Sequence, residues 1–186
     1  LAAAASSGLA GIELTTNGGF ETGDTSGWVS FPTPTSTFNV TNDANSGAFA
    51  AEIFNNDPAS GAVVKQANIG IGQVNPGDQL MISFAAKGSF AAGGVAFAEF
   101  FSEIDGGGTS SAEILGGGPL ALTDQYQTFT FMTTAGPDVS GGVSLQFAAV
   151  TGGDAGSTAV LFIDDVSVIV PAPGAAALLG LGGLVA

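Results

Sequence analysis

Apolar residues recur along this chain in short runs, several of them with a period of two, and glycine-rich stretches separate the runs. "QLMISFAA" at 79–86 sets Leu80, Ile82 and Phe84 on one face and Met81, Ser83 and Ala85 on the other. "YQTFTFMT" at 126–133 alternates most cleanly, with Gln127, Phe129, Phe131 and Thr133 opposite Tyr126, Thr128, Thr130 and Met132. "GVAFAEFFSEI" at 94–104 places Val95, Phe97, Glu99 and Phe101 on one side. "VSLQFAAV" at 143–150 does the same with Val143, Leu145, Phe147 and Ala149. "GIELTT" at 11–16, "AFAAEIF" at 48–54 and the long β-branched "AVLFIDDVSVIV" at 159–170 complete the predicted strands. Alternation of this kind marks half-buried antiparallel strands. No window carries a helical period, since Gly93 and Gly94 interrupt the one segment that approaches it. "VNPGDQ" at 74–79 predicts a turn, with Pro76 presetting φ and Gly77 taking a positive one. The expected fold class is all-β, an antiparallel sandwich with short apolar flanks at both ends.

Composition agrees with this and narrows the chemistry. The chain has 186 residues, 45% of them hydrophobic, which suits one domain with a real core. Sixteen acids face two bases, Lys65 and Lys87, for a formal net charge of -14. Such a surface excludes nucleic acid, whose phosphates need cations. It favours divalent cations as ligands, although solubility alone also accounts for the charge. The absence of cysteine and histidine removes thiol nucleophiles, thiolate and imidazole metal sites and Ser-His-Asp catalysis. Paired carboxylates remain available in principle for glycoside hydrolysis, but no acid pair is marked out by a motif. "NVT" at 39–41 matches a glycosylation sequon, a pattern that chance produces often.

The two ends read differently from the middle. "LAAAASSGLAG" at 1–11 has the small residues of a signal-peptide remnant or of an Ala-rich mature N-terminus. Both favour export. The tail at 171–186 is almost wholly Gly, Ala, Leu and Val, and shorter than the roughly 20 residues that span a bilayer as a helix.

Taken in order, "NGGFETGDTSGW" at 17–28, "NDANSGAFAAEI" at 42–53, "VNPGDQLMISFAAKG" at 74–88, "YQTFTFMTT" at 126–134 and "VLFIDDVSV" at 160–168 resemble the CenC-like, galactose-binding-like carbohydrate-binding modules. The resemblance covers about residues 12–170 and implies a jelly roll of two antiparallel sheets. It also implies a structural calcium ion pinning the terminal strands together. On that reading the ligands are Glu21 of the "GFE" motif and Asp164 or Asp165 of the "DDV" motif, with the loop around Asn45 to Gly47 contributing backbone oxygens. Phe20 and Trp28 would pack over the site. In period-two terms Asp164 shares a face with Phe162 and Val166 and is expected to point inward. No sugar-binding residue is designated, because Trp28 and Tyr126 both read as scaffold. The acidic segment at 99–113 reads as the rim of a cleft or as a solvated hairpin.

"VPAPGAAALLGLGGLVA" at 170–186 resembles the start of a PEP-CTERM sorting signal, with Val170, Pro171 and Pro173 at the motif and Ala172 where the signature glutamate would stand. That likeness implies deposition at the surface or in the extracellular matrix of a bacterium, with membrane contact only during export. The leading expectation is therefore a secreted, non-catalytic structural protein. It would self-associate into an oligomer or filament through Leu178, Leu179, Leu181, Leu184 and Val185 of the tail. The alternative is a carbohydrate-binding module engaging extracellular polysaccharide.

Overall fold

The computed structural model describes residues 11–172. The described residues form eleven strands: β1 (Gly11–Glu13), β2 (Val29–Phe31), β3 (Thr37–Thr41), β4 (Ala50–Asn55), β5 (Gly61–Ile69), β6 (Gln79–Ala91), β7 (Val95–Glu103), β8 (Thr109–Ile114), β9 (Gln127–Thr134), β10 (Val143–Val150) and β11 (Thr158–Pro171). The helical content of the described residues is a single 3-10 turn, Leu115–Gly117. One sheet runs β3-β4-β11-β6-β9, with β1 added to β11, and the other runs β2-β5-β10-β7-β8. All pairings are antiparallel. The molecule is an antiparallel β-sandwich of the jelly-roll type.

The core lies where the alternating faces meet. Leu80, Ile82 and Phe84 of β6 are buried, as are Leu161, Ile163 and Val168 of β11 and Leu145 and Phe147 of β10. Phe84 sits at the centre, edge-on to Phe147 at 4.9 Å and stacked on Phe129 at 5.3 Å. Full burial of such a side chain is worth roughly 1.5–3 kcal/mol, so these rings hold the two sheets together. The turn at residues 75–78 forms as expected: Asp78 N–H donates to the Asn75 carbonyl at 3.1 Å, and Gly77 takes φ +83.

Strand β7 inverts the usual pattern. Its inward residues are the small Ala96 and Ala98, with Phe100 and Ser102, all buried. Its outward residues are the bulky Val95, Phe97 and Phe101, with Glu99 and Glu103. The larger apolar groups therefore lie on the surface of the β2-β5-β10-β7-β8 sheet. Residues 99–113 form the β7–β8 hairpin, closed by hydrogen bonds between Ile104 and Gly108 and between Gly107 and Ile104.

Candidate functional site

The expected ligand residues Glu21, Asn45, Gly47, Asp164 and Asp165 come together at the junction of the chain ends. β1 pairs with β11 in register Gly11↔Pro171, which brings the segment after β1 alongside the middle of β11. A bulge interrupts β11 between Asp164 and Ser167, and Asp165 there adopts φ +50. Gly18 closes over the bulge, its carbonyl accepting the Val166 N–H at 3.0 Å. A side chain at Gly18 would collide with the Val166 carbonyl at 1.9 Å, so only glycine allows this approach.

The bulge corrects one expectation about Asp164. Phe162 lies on the outer face and Val166 on the inner one, because the extra residue at 165 shifts the alternation. Asp164 follows Phe162 outward. It is nevertheless fully buried, because the loop at residues 43–48 covers it. Its Oδ2 accepts the N–H groups of Asn45 at 2.8 Å and Ser46 at 3.0 Å, and its Oδ1 accepts that of Asp165 at 2.7 Å. Asp165 accepts from Asn45 Nδ2 at 2.8 Å and from the Ser46 hydroxyl at 2.6 Å. Glu21 holds the far side of the same loop, accepting Ala48 N–H at 2.9 Å and Phe49 N–H at 3.0 Å. Gly47 lies under that carboxylate, where a Cβ would stand 2.3 Å from Oε1. Burial pushes the Asp164 carboxyl above the usual aspartate range; the charge of Asp165 adds to this, and the peptide N–H bonds oppose it.

The donor chemistry at this junction suits a hard cation. Its side chains offer only oxygen acceptors and amide or hydroxyl groups, and the ion pair formed by the described residues, Lys87–Asp43, borders it at the start of the loop at residues 43–48. Among the described residues no group of three acids is placed to hold a metal ion, and the carboxylates of Glu21, Asp164 and Asp165 already accept hydrogen bonds. The calcium ion that the resemblance implies would draw on Glu21, Asp164 and Asp165 and on carbonyls of the loop around Asn45 to Gly47, in place of some of those hydrogen bonds. It would supply positive charge beside a buried carboxylate.

Above the junction, the outer face of the β3-β4-β11-β6-β9 sheet is occupied by its own side chains. Lys87 pairs with both oxygens of Asp43 at 2.6 Å. Its ammonium also lies 4.8 Å from the centre of the Tyr126 ring and 4.9 Å from that of Phe162. The Tyr126 hydroxyl donates to the Asp43 carbonyl at 2.6 Å. Tyr126 is thus tied to the loop at residues 43–48, on a surface and not in the core. Burial first, then the charges of Asp164, Asp43 and Asp165, push its phenol well up. The groove beside it, lined by Lys87, Gly88, Ser89, Asp124 and Phe162, measures about 110 Å³.

The outer face of the β2-β5-β10-β7-β8 sheet is different. Strand register places Val29, Lys65, Gln146, Glu99 and Ile114 in one row across the five strands. The adjacent row holds Phe31, Val63, Ala148 and Phe97. Phe31 is 51% exposed, and Lys65 stands over its ring at 5.5 Å. Gln146 donates to Glu99 at 2.6 Å, and Ser144 donates to Glu103 at 2.6 Å. Lys65 has no ion pair among the described residues. Strands spaced about 4.8 Å apart make the five-residue row roughly 19 Å long and the four-residue row roughly 14 Å. Phe31, Lys65, Gln146, Glu99 and Phe97 were not designated from the sequence. "VSF" is too short to show a period. In "GAVVKQANI" the buried polar Gln66 breaks the apolar face, so β5 goes unread.

Trp28 and Phe20 are core residues, stacked at 5.4 Å. The self-association residues Leu178, Leu179, Leu181, Leu184 and Val185 lie outside the described residues, as does most of the segment resembling a sorting signal.

The chain matches no protein-family model. No curated protein matches it either. Solved structures do share its fold. The CBM22-1 xylan-binding domain of Paenibacillus barcinonensis Xyn10C superposes with TM-score 0.62 at 17% identity, covering 89% of this chain and 99% of that one. TmCBM61 in complex with β-1,4-galactotriose gives TM-score 0.54 at 16% identity, over 84% and 97%. The enzymatically active domain of bacteriophage CBA120 tailspike protein 4 gives TM-score 0.64 at 16% identity, but this chain spans only 21% of it. The carbohydrate-binding-module jelly roll is thus a fold this chain shares, at identities that speak to fold alone.

Proposed function

We propose that this protein is a non-catalytic carbohydrate-binding module that holds an extended polysaccharide across the outer face of the β2-β5-β10-β7-β8 sheet. The observation that carries the reading is the pairing of an apolar row, Phe31–Val63–Ala148–Phe97, with a parallel polar row, Lys65–Gln146–Glu99. A pyranose ring has one face of C–H groups and an edge of hydroxyls, so it matches an aromatic surface beside fixed polar groups. Two neighbours with the same fold, described as xylan-binding and as bound to β-1,4-galactotriose, support the substrate class. Secretion to the cell surface or matrix fits a polysaccharide partner.

Two acids on this face do not make it hydrolytic. Glu99 and Glu103 are four residues apart on one strand, roughly 13 Å, and both are engaged by neighbours. Glycosidase carboxylates stand about 5–9.5 Å apart. Calorimetric titration with xylohexaose, β-1,4-galactotriose and a panel of soluble polysaccharides tests the reading. The wild-type protein should bind at least one extended neutral glycan, and Phe31→Ala should lose that binding while staying folded. Binding unchanged in Phe31→Ala removes this face from consideration.

The self-assembly reading rests on residues outside those described and takes second place for that reason. Structural calcium at the chain-end junction belongs to the proposal as a stabilising element. Binding to the native state alone raises stability by mass action. Chelator should lower the melting temperature of the wild type and leave that of Asp164→Ala unchanged; identical wild-type curves with and without chelator would dismiss the ion.

A further inference from the structure

Strand β2 carries Phe31 to the polysaccharide face, yet it has little of its own to hold it there. It is three residues long, pairs only with β5, and all three residues are exposed. So short an edge strand is not self-supporting. Its position depends on what is attached at either side.

Downstream, Thr33 is fastened to Asn55 at 3.1 Å and Thr35 to Asp57 at 2.9 Å. Upstream, the strand begins directly after Trp28. That indole stacks on Phe20, lies 6.0 Å from Phe147, and donates its Nε1–H to the Asn17 carbonyl at 3.2 Å. Asn17 in turn binds the carbonyls of Asp24 at 3.0 Å and Ser26 at 3.1 Å through its amide. Residues 17–28 therefore form one tied unit. Phe20 sits in it at φ +56, a conformation that a bulky residue keeps only when tertiary contacts enforce it, and Asn17 at φ +50, which asparagine adopts more readily. Glu21, next to Phe20, supplies such contacts by gripping Ala48 and Phe49.

Resting on the polysaccharide reading above, we infer that Glu21 is a positioning residue for that face. By clamping the 17–28 unit to the loop at 45–49, it fixes Trp28, hence β2, hence the Phe31 ring. The acid that grips the loop at 45–49 and the aromatic ring that meets the glycan belong to one mechanical element. This also explains why the sequence places "GGFE" and its single tryptophan so close together.

The test uses the complete chain in chelator, so that any bound cation is out of play. Wild type, Glu21→Ala, Phe31→Ala and the double variant are titrated with xylohexaose and β-1,4-galactotriose. Hydrogen exchange of the peptide covering residues 28–32 is followed in parallel under conditions where every variant is folded. Glu21→Ala, which removes the acceptor of the Ala48 and Phe49 N–H groups, should weaken binding roughly threefold to tenfold. It should have no further effect once Phe31 is gone, because the two act in series. Exchange at 28–32 should quicken, a change that loss of a purely local contact at the loop would not produce. Multiplying effects in the double variant, or faster exchange confined to residues 45–49, would overturn the inference. If the wild type binds neither sugar, the choice of face is what fails, and the exchange at 28–32 alone decides the coupling.

Discussion

The two outer faces of this sandwich carry nearly the same materials and put them to opposite uses. Each has one of the two lysines and at least one aromatic ring beside it. On the β3-β4-β11-β6-β9 face, Lys87 is held by Asp43 and lies between the rings of Tyr126 and Phe162. On the β2-β5-β10-β7-β8 face, Lys65 leans on Phe31 alone, and the nearest acid in the row, Glu99, is taken by Gln146. An intramolecular acid converts the first set into a strut for the loop at 43–48. Without one, the second set stays open to a ligand. Residue type alone does not decide what a lysine and an aromatic ring do on a sheet face; the commitments of the neighbours do.

The largest expected effect lies in the core between the two faces, where Trp28 is buried. Trp28→Ala removes a ring packed between Phe20 and Phe147, and should cost about 3–5 kcal/mol of stability. Chemical denaturation would show it, and a loss below about 1 kcal/mol would mean that the 17–28 unit is not anchored through this ring. Phe31→Ala should instead spare stability, since the ring is half exposed, and weaken glycan binding tenfold or more, about 1.4 kcal/mol. The lysines should then separate cleanly. Lys87→Met should lower stability by about 1 kcal/mol and leave affinity alone. Lys65→Met should stay within about 0.5 kcal/mol in stability and reduce affinity. Equal behaviour of the two variants in thermal melts and titrations would erase the distinction between the faces.

The smallest expected effect is a control on the chain-end junction. Glu13 ties β1 to β11, accepting from Val168 N–H at 3.0 Å and Thr15 N–H at 2.8 Å, and also from the Ser167 hydroxyl. Burial alone would raise its pKa, but the hydrogen bonds from Ser167, Thr15 and Val168 outweigh it and hold the carboxyl below 4.5. Its contribution to stability is therefore present above pH 4.5 and lost as pH falls through the lower folded value. The melting-temperature gap between wild type and Glu13→Gln should close as acid is added. A gap that persists in acid would show that the glutamine lost packing and not charge.

The long alternating strands were legible from sequence because their periodicity and their burial agree. β6, β9, β10 and β11 fall within two residues of expectation at their starts, although β6 runs on to Ala91. The five residues of the chain-end junction came from motif resemblance, and they do assemble at one place. The orientation of Asp164 was not legible, because a bulge is a local change of phase that no alternation reports. The open face escaped notice for a similar reason. β2 is short, β5 buries a glutamine that binds the main chain of Thr16, and β7 turns its bulky residues outward. In each case a functional or structural commitment overrides the simple pattern of apolar in and polar out.

The claim that the open face binds glycan is tested most directly by residue-resolved NMR titration of the complete chain with xylohexaose and β-1,4-galactotriose. The account predicts shifts in the backbone amides of Phe31, Lys65, Glu99 and Gln146 and in the Gln146 carboxamide, with Lys87 and Tyr126 unmoved. Shifts centred on Lys87, Tyr126 and Phe162, or no shift at any concentration of either sugar, would contradict it.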